Sequence, residues 1–181
     1  MKALLFLATG FEEIEAMATS DILRRAEIDF SLVSITGNKA VVGAHQISVV
    51  ADYLFEEADL TSADMLVLPG GMPGAANLNA HEGLKDLILE YDKQGKYLAA
   101  ICAAPLVFGG LGLLQGKKAI CYPGFEGQLT GATIEDQPVV QDGNIITGKG
   151  PALACQFGLK LISVLCGQKK VEELKKALLF C

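Results

Sequence analysis

The chain has only two histidines, His45 and His81, in 181 residues. So few imidazoles argue against a metal centre built from several histidines of one chain. Its five cysteines, Cys102, Cys121, Cys155, Cys166 and Cys181, are odd in number and no two make a CxxC. That speaks against a disulfide framework or a zinc ribbon and for reduced thiols in the cytoplasm. No apolar run reaches the roughly 18 residues that a membrane-spanning helix needs. No basic stripe is present and the net charge is −6, so neither nucleic acid nor an anionic membrane is an expected partner. The glycine turn after Leu68 carries neither GxxxxGK[ST] nor GxGxxG, which removes a phosphate loop. Repeats, linkers and composition breaks are absent as well. Residues 1–181 are therefore expected to form one domain, with no metal and no cofactor.

What is present is core material. The composition is 51% hydrophobic and 20% charged, with 20 glycines, as in a globular chain rather than a disordered one. "MKALLFLATGFEE" opens with a short apolar run followed at once by acids, and reads as a first buried strand rather than a signal peptide. "EEIEAMATSDILRRAEI" has helical spacing, with Ile14, Met17, Ala18, Ile22 and Leu23 as its apolar stripe. "DFSLVSI", "ADMLVLPGG" and "KYLAAIC" read as buried strands, and "VVGAHQISVVAD" as a short strand pair. "HEGLKDLILEYDKQG" is an amphipathic helix stopped by Gly95. "KKAICYP" reads as a further strand, and Asp142 to Asn144 as a hairpin turn. A helix then opens on Pro151, and a mixed-charge surface helix closes the chain. Alternating strands and helices predict a mostly parallel sheet covered by helices on both faces.

In such folds, sites gather at the carboxyl ends of strands. Three of those ends are unusual. Cys102, in "AICAAP", joins a strand to a helix with Ala100, Ala103 and Ala104 around it. That is the pattern of a nucleophile elbow, whose crowded backbone needs small neighbours. The helix start behind it should lower the thiol pKa below the free value of about 8.5; the plainer reading is a small buried hydrophobe. "LPGGMPGA" offers backbone N–H groups at Gly70 and Gly71 for an oxyanion hole, or is simply a turn into a helix. Glu12, Glu13 and Glu15 are ordinary acids of a first helical turn. Glu15 alone shares a helical face with Phe11 and Ala18, which can turn it inward, and a buried carboxyl has a raised pKa.

Taken together, "FEEIEA", "LVLPGGMPGAANL", "AAICAAP" and "DGNIITGKGPALACQFGLKLI" resemble the DJ-1/ThiJ/PfpI superfamily, and within it the parkinsonism-linked DJ-1-like branch. The resemblance covers nearly the whole chain. It implies a flavodoxin-like three-layer sandwich and a homodimer. It also implies that Glu15 hydrogen-bonds the sulfur of Cys102 and that the N–H groups of Gly71 and Ala103 form the anion pocket, beside Gly70. Two departures stand out. Protease-like members have histidine directly after the cysteine, where this chain has Ala103, so peptidase activity is not expected. Members of the DJ-1 branch have a pocket histidine where this chain has Tyr122. His45, at a position from which relatives bring an arginine toward the pocket, is a candidate pocket residue, as are Gly150 and Pro151. His81 is expected to cap a helix or face solvent, Cys121 and Cys155 to pack, and Cys181 to be an exposed terminus. The resemblance implies glyoxalase- or deglycase-type chemistry on small oxoaldehydes or their protein adducts. The alternative is a non-enzymatic sensor of oxidative stress, or a redox-regulated chaperone, acting through oxidation of Cys102.

Overall fold

The computed structural model describes residues 1–180; the reading of Cys181 as an exposed terminus lies outside them. In chain order the elements are β1 (Lys2–Leu7), α1 (Glu13–Arg25), β2 (Asp29–Ser34), β3 (Ala40–Val42), β4 (Ser48–Val50), β5 (Tyr53–Leu54), β6 (Met65–Leu68), α2 (Gly74–Ala80), α3 (Glu82–Lys93), β7 (Tyr97–Ile101) and α4 (Pro105–Gly110). There follow β8 (Lys118–Ala119), β9 (Thr133–Ile134), β10 (Val139–Asp142), β11 (Ile145–Gly148), α5 (Ala154–Cys166) and α6 (Gln168–Ala177).

Among the described residues, seven strands form the main sheet in the order β10-β11-β7-β6-β1-β2-β5. Only the β10–β11 hairpin pairs antiparallel within it. β1 lies near the centre and is buried from Ala3 to Leu7, which is why its sequence is a continuous apolar run rather than an alternating one. The connection from β1 through α1 runs to β2 on one side, while β6 through α3 runs to β7 on the other. Crossovers of one handedness in opposite directions place their helices on opposite faces. Accordingly α1 packs on α5 and α5 on α6, while α2 packs on α3 and α4. This is the three-layer, flavodoxin-like sandwich expected. No helix among the described residues is long and apolar enough to cross a membrane.

Several local expectations change. The inner face of α1 is Glu15, Ala16, Thr19, Ser20, Ile22 and Leu23, while Ile14 is 58% exposed and Met17 and Ala18 are half-buried. Small residues mark this face because α1 and α5 approach closely: a Cβ on Gly158 of α5 would stand 3.0 Å from Ile22 Cδ1. Ala3–Ala8 and the inner residues of α1 therefore serve the core. "KKAICYP" yields only the two residues of β8, which pair with β9 outside the main sheet. Pro151 opens a single 3₁₀ turn, Pro151–Leu153, ahead of α5.

The turn after the elbow is tight enough to test. A Cβ on Gly109, in α4, would collide with the carbonyl oxygen of Gln128. Gly109→Ala should lower the unfolding free energy by about 1–3 kcal/mol, read from urea denaturation; an unchanged midpoint would show that this contact does not constrain α4.

Candidate active site

Cys102 follows the last residue of β7 with φ of 64°, a left-handed conformation that a side chain rarely adopts. Two backbone bonds impose it. Its N–H donates to the Gly148 carbonyl at 2.9 Å, and its carbonyl accepts from the Tyr122 N–H at 2.8 Å. Ala100, Ala103 and Ala104 are buried around it, as the elbow pattern requires. The N–H groups of Gly71 and Ala103 both donate toward the sulfur.

Glu15 is fully buried. Its Oε2 accepts from the Gly70 N–H at 2.7 Å, and the Cys102 thiol lies against the same carboxyl. Oε1 makes no hydrogen bond of ordinary geometry. Gly70 is the point where these parts meet: a Cβ there would lie 2.7 Å from Cys102 Cβ, 2.8 Å from Glu15 Oε2 and 2.9 Å from the Ile101 carbonyl oxygen. Gly70 was expected to donate to a bound anion. Its N–H is instead committed to Glu15, and the donors at the sulfur are Gly71 and Ala103.

Burial also governs the ionisation of the pair. Burial pushes the Glu15 carboxyl up to about 7, against the pull of the Cys102 thiol and the Gly70 N–H. The thiol is opposed in the same way. Burial pushes it up to about 12, the charge and hydrogen bond of Glu15 add to the rise, and the Gly71 and Ala103 N–H groups oppose it. α4 has only six residues, too short a dipole to outweigh burial. The two groups titrate as one pair: the first loss leaves a single negative charge, and the second is opposed because two buried neighbours would both be charged. Within the singly ionised pair, a proton on Glu15 leaves a thiolate facing two N–H donors.

The other predicted residues divide. Tyr122 is 46% exposed, and its ring Cδ2 stands 3.1 Å from where a Gly150 Cβ would be. Tyr122 and Gly150 therefore sit together beside the elbow, with Pro151 next in chain. The His45 ring is 71% exposed and is engaged by Glu13. Its Nδ1 lies 2.8 Å from Glu13 Oε2, and its backbone N–H donates to Glu13 Oε1 at 2.6 Å. Burial raises the Glu13 pKa, but the His45 bonds outweigh it and hold the carboxyl below the usual range; Glu13 in turn raises His45. Ligand atoms of Glu12, Glu13 and His45 lie within 4.8 Å of one another, and the ion pair within the group answers for two of the three. His81 caps α3 through Nδ1, which accepts from the Leu84 N–H at 3.0 Å. Cys102, Cys121, Cys155 and Cys166 are free thiols; Cys121 is buried and Cys155 half-buried. A cavity of about 300 Å³ opens beyond β1 and β2, lined by Ala8, Thr9, Ile35, Thr36, Asn77, Ala80 and His81. It includes no part of the Cys102–Glu15 pair, and nothing in its lining matches that chemistry.

Sequence reasoning passed over Glu12 as an ordinary first-turn acid. The structure shows it as the N-cap of α1, accepting from the Glu15 N–H at 2.7 Å. The signal was its spacing: an acceptor followed three residues later by glutamate is the capping-box pattern.

An elbow cysteine, a glycine turn and an acid from the first helix, on this sheet, define a class of α/β proteins, and comparison identifies it. Residues 1–164 match the DJ-1/PfpI family, and the chain belongs to that family. It is 36% identical to Protein dj-1beta of Drosophila melanogaster over 98% of this chain and 96% of that one. It is 34% identical to the glutathione-independent glyoxalase DJ-1 of Schizosaccharomyces pombe, over 98% of each. Among solved structures, the oxidized DJ-1 of Toxoplasma gondii superposes with a TM-score of 0.95 at 35% identity, covering 99% of this chain and 98% of that one.

The buried acid carries a stability signature. The folded pKa of Glu15, about 7, lies above its ordinary 4.5, so the fold favours the protonated form. Stability is full below about pH 4.5 and falls as pH rises through 7. Glu15→Gln, which keeps an acceptor for Gly70, should be more stable than the parent by about 1–3 kcal/mol at pH 8, with the gap closing at pH 4.5. Equal urea midpoints at both pH values would show that Glu15 is not strained by burial.

Proposed function

We propose that this protein is a cysteine-dependent enzyme of the glyoxalase or deglycase type, acting on small oxoaldehydes such as methylglyoxal or on their adducts with protein amines and thiols. The observation that carries this reading is the strained Cys102 thiol hydrogen-bonded to fully buried Glu15. The name of the fission-yeast relative supports the substrate class. The four described thiols are free, which suits a cytoplasmic setting.

In this reading the Cys102 sulfur attacks the aldehyde carbon, and the carbonyl electron pair moves to oxygen. The N–H groups of Gly71 and Ala103 stabilise charge at the elbow, and Glu15 gives its proton to the oxygen, forming a hemithioacetal. Glu15, now a carboxylate, takes the hydrogen from the same carbon. The electrons move toward the ketone oxygen to form an enediolate, that oxygen takes the hydroxyl proton of the former aldehyde carbon, and Glu15 returns the proton it holds to the neighbouring carbon. The former aldehyde carbon is thereby oxidised and the ketone carbon reduced, with no external oxidant. Water cleaves the resulting thioester, releasing lactate and restoring the thiol. Tyr122 stands where the family resemblance implies a histidine. Its phenol can donate a hydrogen bond but is a poor base near neutral pH, which leaves Glu15 as the single proton shuttle.

A second reading has its own support. The same two N–H donors and a protonated Glu15 would hold a sulfinate at Cys102, so the site also suits a stress sensor or redox-regulated chaperone. Intact mass after mild peroxide tests that reading directly.

The protein is further proposed to act as a homodimer. Ile14, Ile47 and Val50 are 58%, 57% and 70% exposed. They come from the start of α1 and from the β3–β4 hairpin, which Glu13 and the Ala44 N–H bond to Phe11 tie together. Exposed aliphatics on two segments held together in this way suit burial against a second copy. Light scattering at micromolar concentration should give a dimer mass, and Ile14→Glu with Val50→Glu should give a monomer; a monomeric parent chain would overturn the assignment.

The chemistry is tested by steady-state conversion of methylglyoxal to lactate. Activity should be weak, lost in Cys102→Ala, and lowered by about 10² to 10⁴ in Glu15→Gln. Tyr122→His should equal or exceed the parent. Turnover that survives in Cys102→Ala, or no parental turnover alongside clean sulfinate formation, would move the assignment to the sensor.

A further inference from the structure

We propose that Glu12 is a positioning residue for the Cys102–Glu15 pair, holding the peptide units that aim Glu15 and setting the proton affinity of the pair through its charge. The proposal deepens the reading of that pair as the reactive centre and rests on it.

The geometry is a closed ring of three hydrogen bonds. The Glu15 N–H donates to Glu12 Oε2 at 2.7 Å. The Glu12 N–H donates to the Gly70 carbonyl at 2.9 Å. The Gly70 N–H donates to Glu15 Oε2 at 2.7 Å. In an ordinary capping box the cap side chain takes the N–H three residues on, and the glutamate at that position reaches back to the cap N–H. Here the first half of the box is kept. The second half is opened by the Gly70 peptide, whose carbonyl takes the cap N–H and whose own N–H takes the glutamate. The glutamate is thus diverted from its helix to the turn beside Cys102. Without Glu12 as acceptor, one corner of the ring is lost, and α1 and the glycine turn are no longer held in register at this point.

Charge acts alongside geometry. Glu12 is 7% exposed and Glu15 fully buried, so solvent screens them poorly. The groups bearing on Glu15 are Glu12 from its own helix, the Cys102 thiol from the elbow and the Gly70 N–H from the turn after β6. Glu13 and His45 lie near Glu12 in turn, with ligand atoms within 4.8 Å of one another. A negative Glu12 opposes ionisation of the Glu15–Cys102 pair and keeps the shared proton in place.

The test separates charge from capping and needs no turnover. Glu12→Gln keeps an acceptor and removes the charge. Glu12→Ser keeps a shorter cap without charge. Glu12→Asp keeps both. Peptide mapping after brief iodoacetamide treatment of the full chain, repeated across pH, reads the ionisation of Cys102 in each. The inflection should move to lower pH by about half a unit or more in Gln and Ser, while Asp follows the parent. An unchanged inflection in both uncharged variants overturns the proposal, and so does an Asp variant that shifts as far as Gln. If the Gln variant does not fold, Ser decides the same question. Absence of methylglyoxal turnover in the parent would remove the enzymatic reading and leave this titration intact.

Discussion

Everything around the candidate site depends on there being no side chain at Gly70. Three segments far apart in sequence converge on its α-carbon: Glu15 from the first helix, Ile101 and Cys102 from the end of β7, and the turn after β6 that carries Gly70 itself. A methyl group at this point would stand in the space that lets a buried acid touch a buried thiol. Parallel strands make the convergence possible, since β1, β6 and β7 are neighbours and end on the same side of the sheet. The sheet supplies adjacency, and the glycine supplies contact.

Contact in a dry setting decides the electrostatics. Separately, each group would simply resist ionisation, because burial disfavours the charged form of an acid or a thiol. Together they can hold one negative charge between them, with Gly70 serving the carboxyl and Gly71 and Ala103 serving the sulfur. The donors are divided so that either atom can carry the charge. That division distinguishes this site from a plain oxyanion hole, in which every donor faces one atom, and it suits a group that must give and retake the same proton.

The fold was legible wherever burial writes itself as hydrophobicity. β1, β6 and β7 are apolar runs, and the elbow announced itself through the alanines around Cys102. Legibility failed where packing uses small residues or backbone. The inner face of α1 joins Ala16, Thr19 and Ser20 to Ile22 and Leu23, so the visible stripe was right at Ile22 and Leu23 and wrong at Ile14. The pairing of Glu15 with Cys102 joins positions 87 residues apart, and only resemblance to a family proposed it. Gly70 was read as a donor to an external anion, because the sequence does not say which of two adjacent N–H groups is already taken. The ionisation of the pair was illegible for a related reason: a helix start can be guessed from sequence, but the burial that opposes charge on both groups cannot.

The arrangement also has a cost that the rest of the molecule must offset. A left-handed cysteine, a fully buried carboxyl and a second, nearly buried carboxylate at Glu12 each disfavour the fold. They are tolerated because the surroundings leave the backbone little choice: Gly148 and Tyr122 clamp Cys102 from both sides, and the Glu12–Gly70–Glu15 ring fixes the acid. A site built this way resists gradual loosening. Freeing any one of these backbone bonds removes the reason for the strained residue beside it, so reactivity at Cys102 should vanish with local order well before the sheet itself unfolds.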